Sequence, residues 1–450
     1  MFLSGVIEGF YGPPWTADER ATLFARMAAW GLDTYLYCPK DDLHHRAVWR
    51  EPYGEADAQA MRALVDACHA HGLRFLYGIG PGLDIRYGDA QDRATLRARC
   101  AQMVSLGCDG LALLFDDIPD VVDPADLARW GSLAAAQADL ANEVVASLRT
   151  QAPDLLAAFC PTPYCERMVT AGHGGVGYLE SLGATLDPAI EVFWTGPEIV
   201  SRDITVAHVR EVANRLRRKP VLWDNLHAND YDGRRILMGP YAGRPLELRD
   251  EVRGILTNPN TEFPLNHVAV RTLARFVHEA GATWDTRQVY LDALREWLPA
   301  FDTVAGPIAL DDLAWLGDCY YLPYEEGPAA EALLAHARVA LTDRSATWRD
   351  ATQAFLAEAT ARRDFCTRLA TLRDRSLFNA LSRRVWDLRE ELDLLVRAAQ
   401  ARLASADGVV CVRSDFHQPR TFRGGTVARL QRLLQAHPDG TFTPAHEGGA

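Results

Sequence analysis

Two adjacent carboxylates, Asp116-Asp117, follow the run LALLF, an all-apolar stretch that must be buried. On a continuing strand, neighbouring side chains point to opposite faces. Both can therefore serve one pocket only if the strand ends at the pair, and the Ile118-Pro119 that follows favours such an ending. Like charges this close are expected to drive their pKa values apart, so that one stays protonated as an acid while its neighbour stays ionised. A pair divided in this way could run general acid–base catalysis.

Other groups capable of chemistry fall at comparable places. Gly9-Phe10-Tyr11-Gly12, Pro39-Lys40-Asp41-Asp42, Cys160 with Pro161-Thr162-Pro163-Tyr164, Thr195-Gly196, Trp223-Asp224-Asn225 and Asn258-Pro259-Asn260 each close an apolar run. Aromatic rings can cover the C–H face of a sugar while Asp, Asn and Lys satisfy its hydroxyls, so the set has the composition of a sugar pocket. Taken singly, each has an ordinary reading: an Asp pair caps a turn, a lysine is solvated, Tyr164 and Trp223 fill a core, and Cys160 acts as a small hydrophobe. Their common position lifts them together. No CxxC, GxSxG or HxH at a strand end is present, so neither a metal centre nor a nucleophile triad is expected, and no cofactor is implied.

The elements that must position these residues recur from residue 5 to about 280. Candidate strands lie at 5–10, 34–38, 74–79, 110–115, 155–160, 189–194, 220–223 and 254–256, with helix-like stretches at 16–30, 57–71, 90–106, 133–151 and 205–218. Strands spaced by helices imply right-handed crossovers and a parallel sheet. Eight of them predict a closed (β/α)8 TIM barrel, in which chemistry gathers at the C-terminal ends of the strands. An open doubly wound sheet shows the same alternation, but the first turn, EGFYGPPW, is not a GxGxxG phosphate turn. After about 283 the strand signals stop, and 286–297, 328–341, 348–372 and 377–404 carry apolar residues three and four apart. The expected division is a catalytic barrel over 1–280, an α-helical bundle over 281–436 and a disordered tail over 437–450.

Composition narrows the class. The chain has 450 residues with 47 Lys and Arg against 60 Asp and Glu, a net charge of −13, which argues against a nucleic-acid partner. No apolar run is long enough to span a membrane, and the N-terminus lacks the pattern of a signal peptide. Nine scattered cysteines fit buried thiols in the cytoplasm better than a disulfide scaffold. Lys40 and Lys219 are the only lysines. Nothing in the sequence fixes an oligomeric state.

Six blocks in order, GVIEGFYGPPW, YLYCPKDDLHHR, LLFDDI, FCPTPYC, VLWDNLHANDYDGRRILMGPYAGRP and ILTNPN, resemble glycoside hydrolase family 84, the O-GlcNAcases and related β-N-acetylglucosaminidases. The resemblance covers nearly the whole first 270 residues, departing from the family pattern at Pro14 and Pro163. It implies a (β/α)8 barrel and removal of terminal β-linked N-acetylglucosamine with retention. The nucleophile is then the substrate's own 2-acetamido oxygen, which forms an oxazoline. By matching motifs, Asp116 would accept the acetamido N–H and Asp117 would act as acid and then base. Gly9 would offer its backbone to a hydroxyl, and Tyr11 and Trp223 would wall the acetyl pocket above Cys160. Lys40 would bind near O3, Asp230 and Asn258 would take the O4 and O6 hydroxyls, and Tyr164 and Asn225 would steady the reacting groups. The implied partner is a glycopeptide or glycan bearing β-linked N-acetylglucosamine. The alternative from another class is a catalytically weak protein that binds such sugars, and a metal-dependent hydrolase ranks behind both.

Overall fold

The computed structural model describes every residue except Met1, 120–122, 282, 416, 418–422 and 446–450. Eight parallel strands close a barrel in sequence order: β1 (Leu3–Glu8), β2 (Thr34–Tyr37), β3 (Arg74–Ile79), β4 (Gly110–Leu114), β5 (Leu156–Cys160), β6 (Ile190–Trp194), β7 (Val221–Asp224) and β8 (Gly254–Thr257). The ring closes where β1 pairs β8, with Gly5 beside Leu256. The expected TIM barrel is therefore the observed one.

The crossovers carry α1 (Ala17–Ala29), α2 (Glu55–Ala70), α3 (Ala90–Ser105), α4 (Pro124–Trp130), α5 (Leu133–Arg149), α6 (Glu166–Thr170), α7 (Tyr178–Thr185), α8 (Val206–Leu216) and α9 (His267–His278). Helix starts are written locally. Thr16 accepts from the Glu19 N–H while Glu19 accepts from the Thr16 N–H, a reciprocal capping box. Asp89 and Thr205 cap α3 and α8 in simpler form.

Alternation along the strands sets the interior. Leu3 and Ile7, Leu36 and Cys38, Leu76, Ala112 and Leu114, Ala158 and Cys160, Phe193, Val221 and Trp223, and Leu256 form one buried cluster inside the ring. Counting two further along each strand reaches Gly9, Lys40, Asp116, Asn225 and Asn258. The pleat that fills the barrel thus also aims the functional groups at its mouth.

The chain divides into two compact units, with the barrel unit running to Thr286 and excluding Tyr231–Pro240 and Glu262–Val268, which cluster with the second unit. That second unit is built on α10 (Thr286–Trp297), α11 (Leu310–Cys319), α12 (Pro328–Thr342), α13 (Trp348–Leu369), α14 (Arg375–Ala404) and α15 (Gly425–Gln431). Along α14, Leu377, Leu381, Val385, Leu388, Leu392 and Leu395 are buried at helical spacing.

Strand structure does not end with the barrel as expected. Beyond it lie β9 (Asp302–Thr303), β10 (Gly306–Pro307), β11 (Val412–Arg413), β12 (Leu434–Ala436) and β13 (Thr441–Pro444), and β13 pairs antiparallel with both β11 and β12. The expected disorder from 437 is thus corrected: Phe442 is buried in that small sheet, while 446–450 lie outside the described residues. Among the described residues, no helix is long and apolar enough to cross a membrane.

Candidate active site

The site is built from strand tips, and Asp116 and Asp117 reach it by different means. Asp116 is in phase with the inward-facing Ala112 and Leu114, so it points into the barrel without distortion. Asp117 is out of phase. Its backbone takes φ +49°, one of only two positive values outside glycine among the described residues. That left-handed turn breaks the strand after β4 and lets the second carboxylate face its neighbour's pocket.

Asp116 is 8% exposed, and its Oδ2 accepts from Lys40 Nζ at 2.7 Å. Burial pushes its carboxyl up, but the Lys40 ammonium, helped by Arg46, overrides this and holds it below the usual carboxylate range. Lys40 itself is pushed down by burial and raised on balance by Asp116, so the pair stays charged. The sequence-based mechanism, repulsion between two carboxylates, is thus replaced for Asp116 by a buried cation. The chain uses arginine almost everywhere else, and a lysine here suits a compact point charge. The other lysine, Lys219, is exposed just before β7 and donates to Asp250 O.

Asp117 is exposed and held by two phenols: Tyr164 Oη donates to Oδ1 at 2.8 Å and Tyr11 Oη to Oδ2 at 3.2 Å. Tyr11 is 52% exposed, and its N–H donates to Asp230 Oδ2 at 2.9 Å, so Asp230 fixes the turn that presents the ring. Trp223 Nε1 and Asn258 Nδ2 both donate to Asn225 Oδ1, at 3.1 and 3.0 Å, which joins the tips of β7 and β8 through one amide. Gly9 lies under Trp223, where a Cβ would come within 2.7 Å of the indole Cζ2. Cys160 is buried, and burial together with the Asp116 carboxylate pushes its thiol well above its ordinary value, which suits a wall and not a nucleophile. Every site residue expected from the sequence therefore falls in the barrel unit at one mouth.

Sequence reasoning missed the supports behind these groups. Asp224 faces outward between the two site residues Trp223 and Asn225. It takes a bidentate pair from Arg244 at 2.8 and 2.7 Å and a bond from Tyr241 Oη at 2.8 Å, all buried. Arg244 also donates to Ser201 O, Arg202 O and Ala242 O, tying together the loops after β6 and β7. Glu8, at the tip of β1, does the same for the Tyr11 loop by accepting from Arg20 and the Trp15 N–H. Both carboxylates occupy the outward phase at a strand end, and that position was the available signal.

A family model described as beta-N-acetylglucosaminidase matches residues 4–313, and the chain belongs to that family. The chain is 45% identical over 273 residues to the protein O-GlcNAcases of Rattus norvegicus and Mus musculus, which is 61% of this chain and 30% of each relative. It thus spans less than a third of those proteins' length. Among solved structures it is similar to an aspartate-to-asparagine mutant of Thermobaculum terrenum O-GlcNAc hydrolase, with a TM-score of 0.78 and 28% identity over 89% of this chain and 84% of that one.

Proposed function

We propose that the chain is a retaining exo-β-N-acetylglucosaminidase that works in the cytoplasm on terminal β-linked N-acetylglucosamine carried by serine or threonine of glycoproteins, without metal or cofactor. The observation that carries this reading is the pairing of a buried, cation-held Asp116 with an exposed, phenol-held Asp117 at one barrel mouth. Family membership and the names of the relatives, protein O-GlcNAcase and O-GlcNAc hydrolase, support the substrate. Nine free cysteines, eight of them buried, support a reducing compartment.

In this mechanism the ionised Asp116 accepts the acetamido N–H and turns the amide so that its carbonyl oxygen attacks the anomeric carbon. The glycosidic C–O bond breaks as protonated Asp117 gives its proton to the leaving oxygen. As the ring closes, Asp116 accepts the N–H proton, leaving a neutral oxazoline, and it returns that proton to nitrogen when the ring opens. Asp117, now a carboxylate, deprotonates water, which opens the oxazoline from the face the leaving group left. Two inversions give net retention. The acid must reach the glycosidic oxygen and its partner the C2 substituent, and holding both groups on adjacent residues supplies the required proximity.

The test is NMR of a β-N-acetylglucosaminide digest with excess chelator present, with a glycopeptide run alongside. The β-anomer should be released first at undiminished rate and the glycopeptide should lose its sugar. An initial α-anomer, or loss of activity with chelator, refutes the mechanism.

A further inference from the structure

Arg46, named so far only as a minor cation near Asp116, touches the main chain of both aspartates from behind. Its Nη2 donates to Asp116 O at 3.3 Å and to Asp117 O at 2.5 Å, while its Nη1 donates to Tyr11 Oη at 3.3 Å. That phenol is the one bonded to Asp117 Oδ2. One guanidinium therefore grips the main chain on both sides of the Asp117 nitrogen–carbon bond that adopts the left-handed φ, and also one of the two phenols that orient the carboxylate.

The loop that launches Arg46 is itself fixed. Asp42 accepts from Tyr37 Oη, Tyr53 Oη and the His44 N–H. His45 is buried, its Nδ1 is 2.8 Å from Gly78 O, and its carbonyl accepts from the Gly80 N–H. Burial, with Lys40 nearby, pushes the His45 pKa down to about 4, so the ring adds no charge beside the pair near neutrality. A left-handed aspartate is strained, a conformation that persists only where its surroundings enforce it. Two carbonyls converging on one cation are such an enforcement.

We infer that Arg46 is a positioning residue that holds Asp117 in its left-handed conformation and so aims the acid at the leaving oxygen. The inference rests on Asp117 being the acid. A planar fork is required because the main-chain carbonyls and the Tyr11 hydroxyl are reached by different nitrogens. Lysine has no second arm and cannot serve both.

The experiment uses the full chain as wild type, Arg46→Met, Arg46→Lys, Asp117→Ala and the Arg46→Met/Asp117→Ala double variant. Each is assayed on an aryl β-N-acetylglucosaminide with an acidic leaving phenol and on a serine-linked glycopeptide, whose leaving oxygen needs a proton. Asp117→Ala should lose far more on the glycopeptide than on the aryl substrate. Arg46→Met should follow the same pattern, losing about 10- to 100-fold in kcat on the glycopeptide and no more than about threefold on the aryl substrate. In the Asp117→Ala background, removing Arg46 should cost less than about twofold further. Arg46→Lys, which preserves charge and folding, should show the same contrast in milder form.

Equal losses on both substrates, losses that multiply in the double variant, or no loss in Arg46→Met would overturn the inference while leaving Asp117 in place. Absence of a leaving-group contrast in Asp117→Ala would overturn the acid assignment and this inference with it. If Arg46→Met fails to fold, the contrast in Arg46→Lys decides, with equal losses there refuting the positioning role.

Discussion

Replacing Lys40 by methionine should convert the Asp116 environment from one that keeps a carboxylate to one that keeps a carboxylic acid. The two side chains are only 5% and 11% exposed in their ion pair, so solvent screens them little. At a charge separation of about 4 Å and an effective dielectric of about 20, their attraction is about 4 kcal/mol. Removing it leaves burial as the dominant influence on Asp116, with Arg46 a smaller opposing one. The carboxyl then rises and keeps its proton to higher pH than in the wild type. A neutral Asp116 is a poor acceptor for the acetamido N–H. With each 1.36 kcal/mol worth tenfold in rate, kcat/KM at neutral pH should fall by about 100- to 1,000-fold.

The pH dependence carries the sign. In the wild type Asp116 is held down, so its working ionised form survives below the usual carboxylate range and the acid limb it controls lies low. In Lys40→Met that limb moves up, and the ratio of variant to wild-type kcat/KM is smallest at acid pH and improves as pH rises. Lys40→Arg keeps a cation and should leave the acid limb nearly in place while losing rate through the larger head group. Profiles of kcat/KM on an aryl β-N-acetylglucosaminide between pH 4.5 and 9 decide the matter. A ratio independent of pH, or one that worsens as pH rises, refutes the claim that Lys40 acts by keeping Asp116 ionised.

Two further outcomes follow from the supports. Arg244→Met leaves the Asp224 carboxylate buried without its bidentate partner, at a cost of about 3–5 kcal/mol. It should lower the thermal midpoint and raise KM, and a midpoint within a degree of wild type would contradict the anchoring role. Gly9→Ala puts a methyl 2.7 Å from Trp223 Cζ2 and 2.8 Å from Ile7 Cγ2, forcing a rigid indole aside at about 1–3 kcal/mol. KM should rise with little change in the pH profile, and unchanged KM would show that the Trp223 position is not part of the pocket.

The barrel was legible because each strand is a short apolar run between helical stretches, and all eight were placed within two residues of their observed ends. Part of the candidate site was legible for the same reason, since Gly9, Lys40, Asp116, Asn225 and Asn258 stand one inward step beyond their runs. The device that turns Asp117 was not, because a left-handed residue held by a distant arginine leaves no mark in local sequence; Ile118-Pro119 signalled only that the strand stops. Helix α11 escaped notice because Leu313 to Cys319 are all buried, so it shows no polar face to set a period. The strand Thr441–Pro444 escaped because its hairpin with β12 has arms of only three and four residues, too short to show an alternating pattern, while β11 lies further back in the chain.

The scarcity of lysine has a practical side. Lys40 is sunk in its ion pair, while Lys219 stands in solvent where β7 begins, on the opposite end of the barrel from the catalytic opening. An amine-reactive dye or resin, the terminal amine aside, would therefore grip the barrel by a single handle at its base and leave the entrance unobstructed.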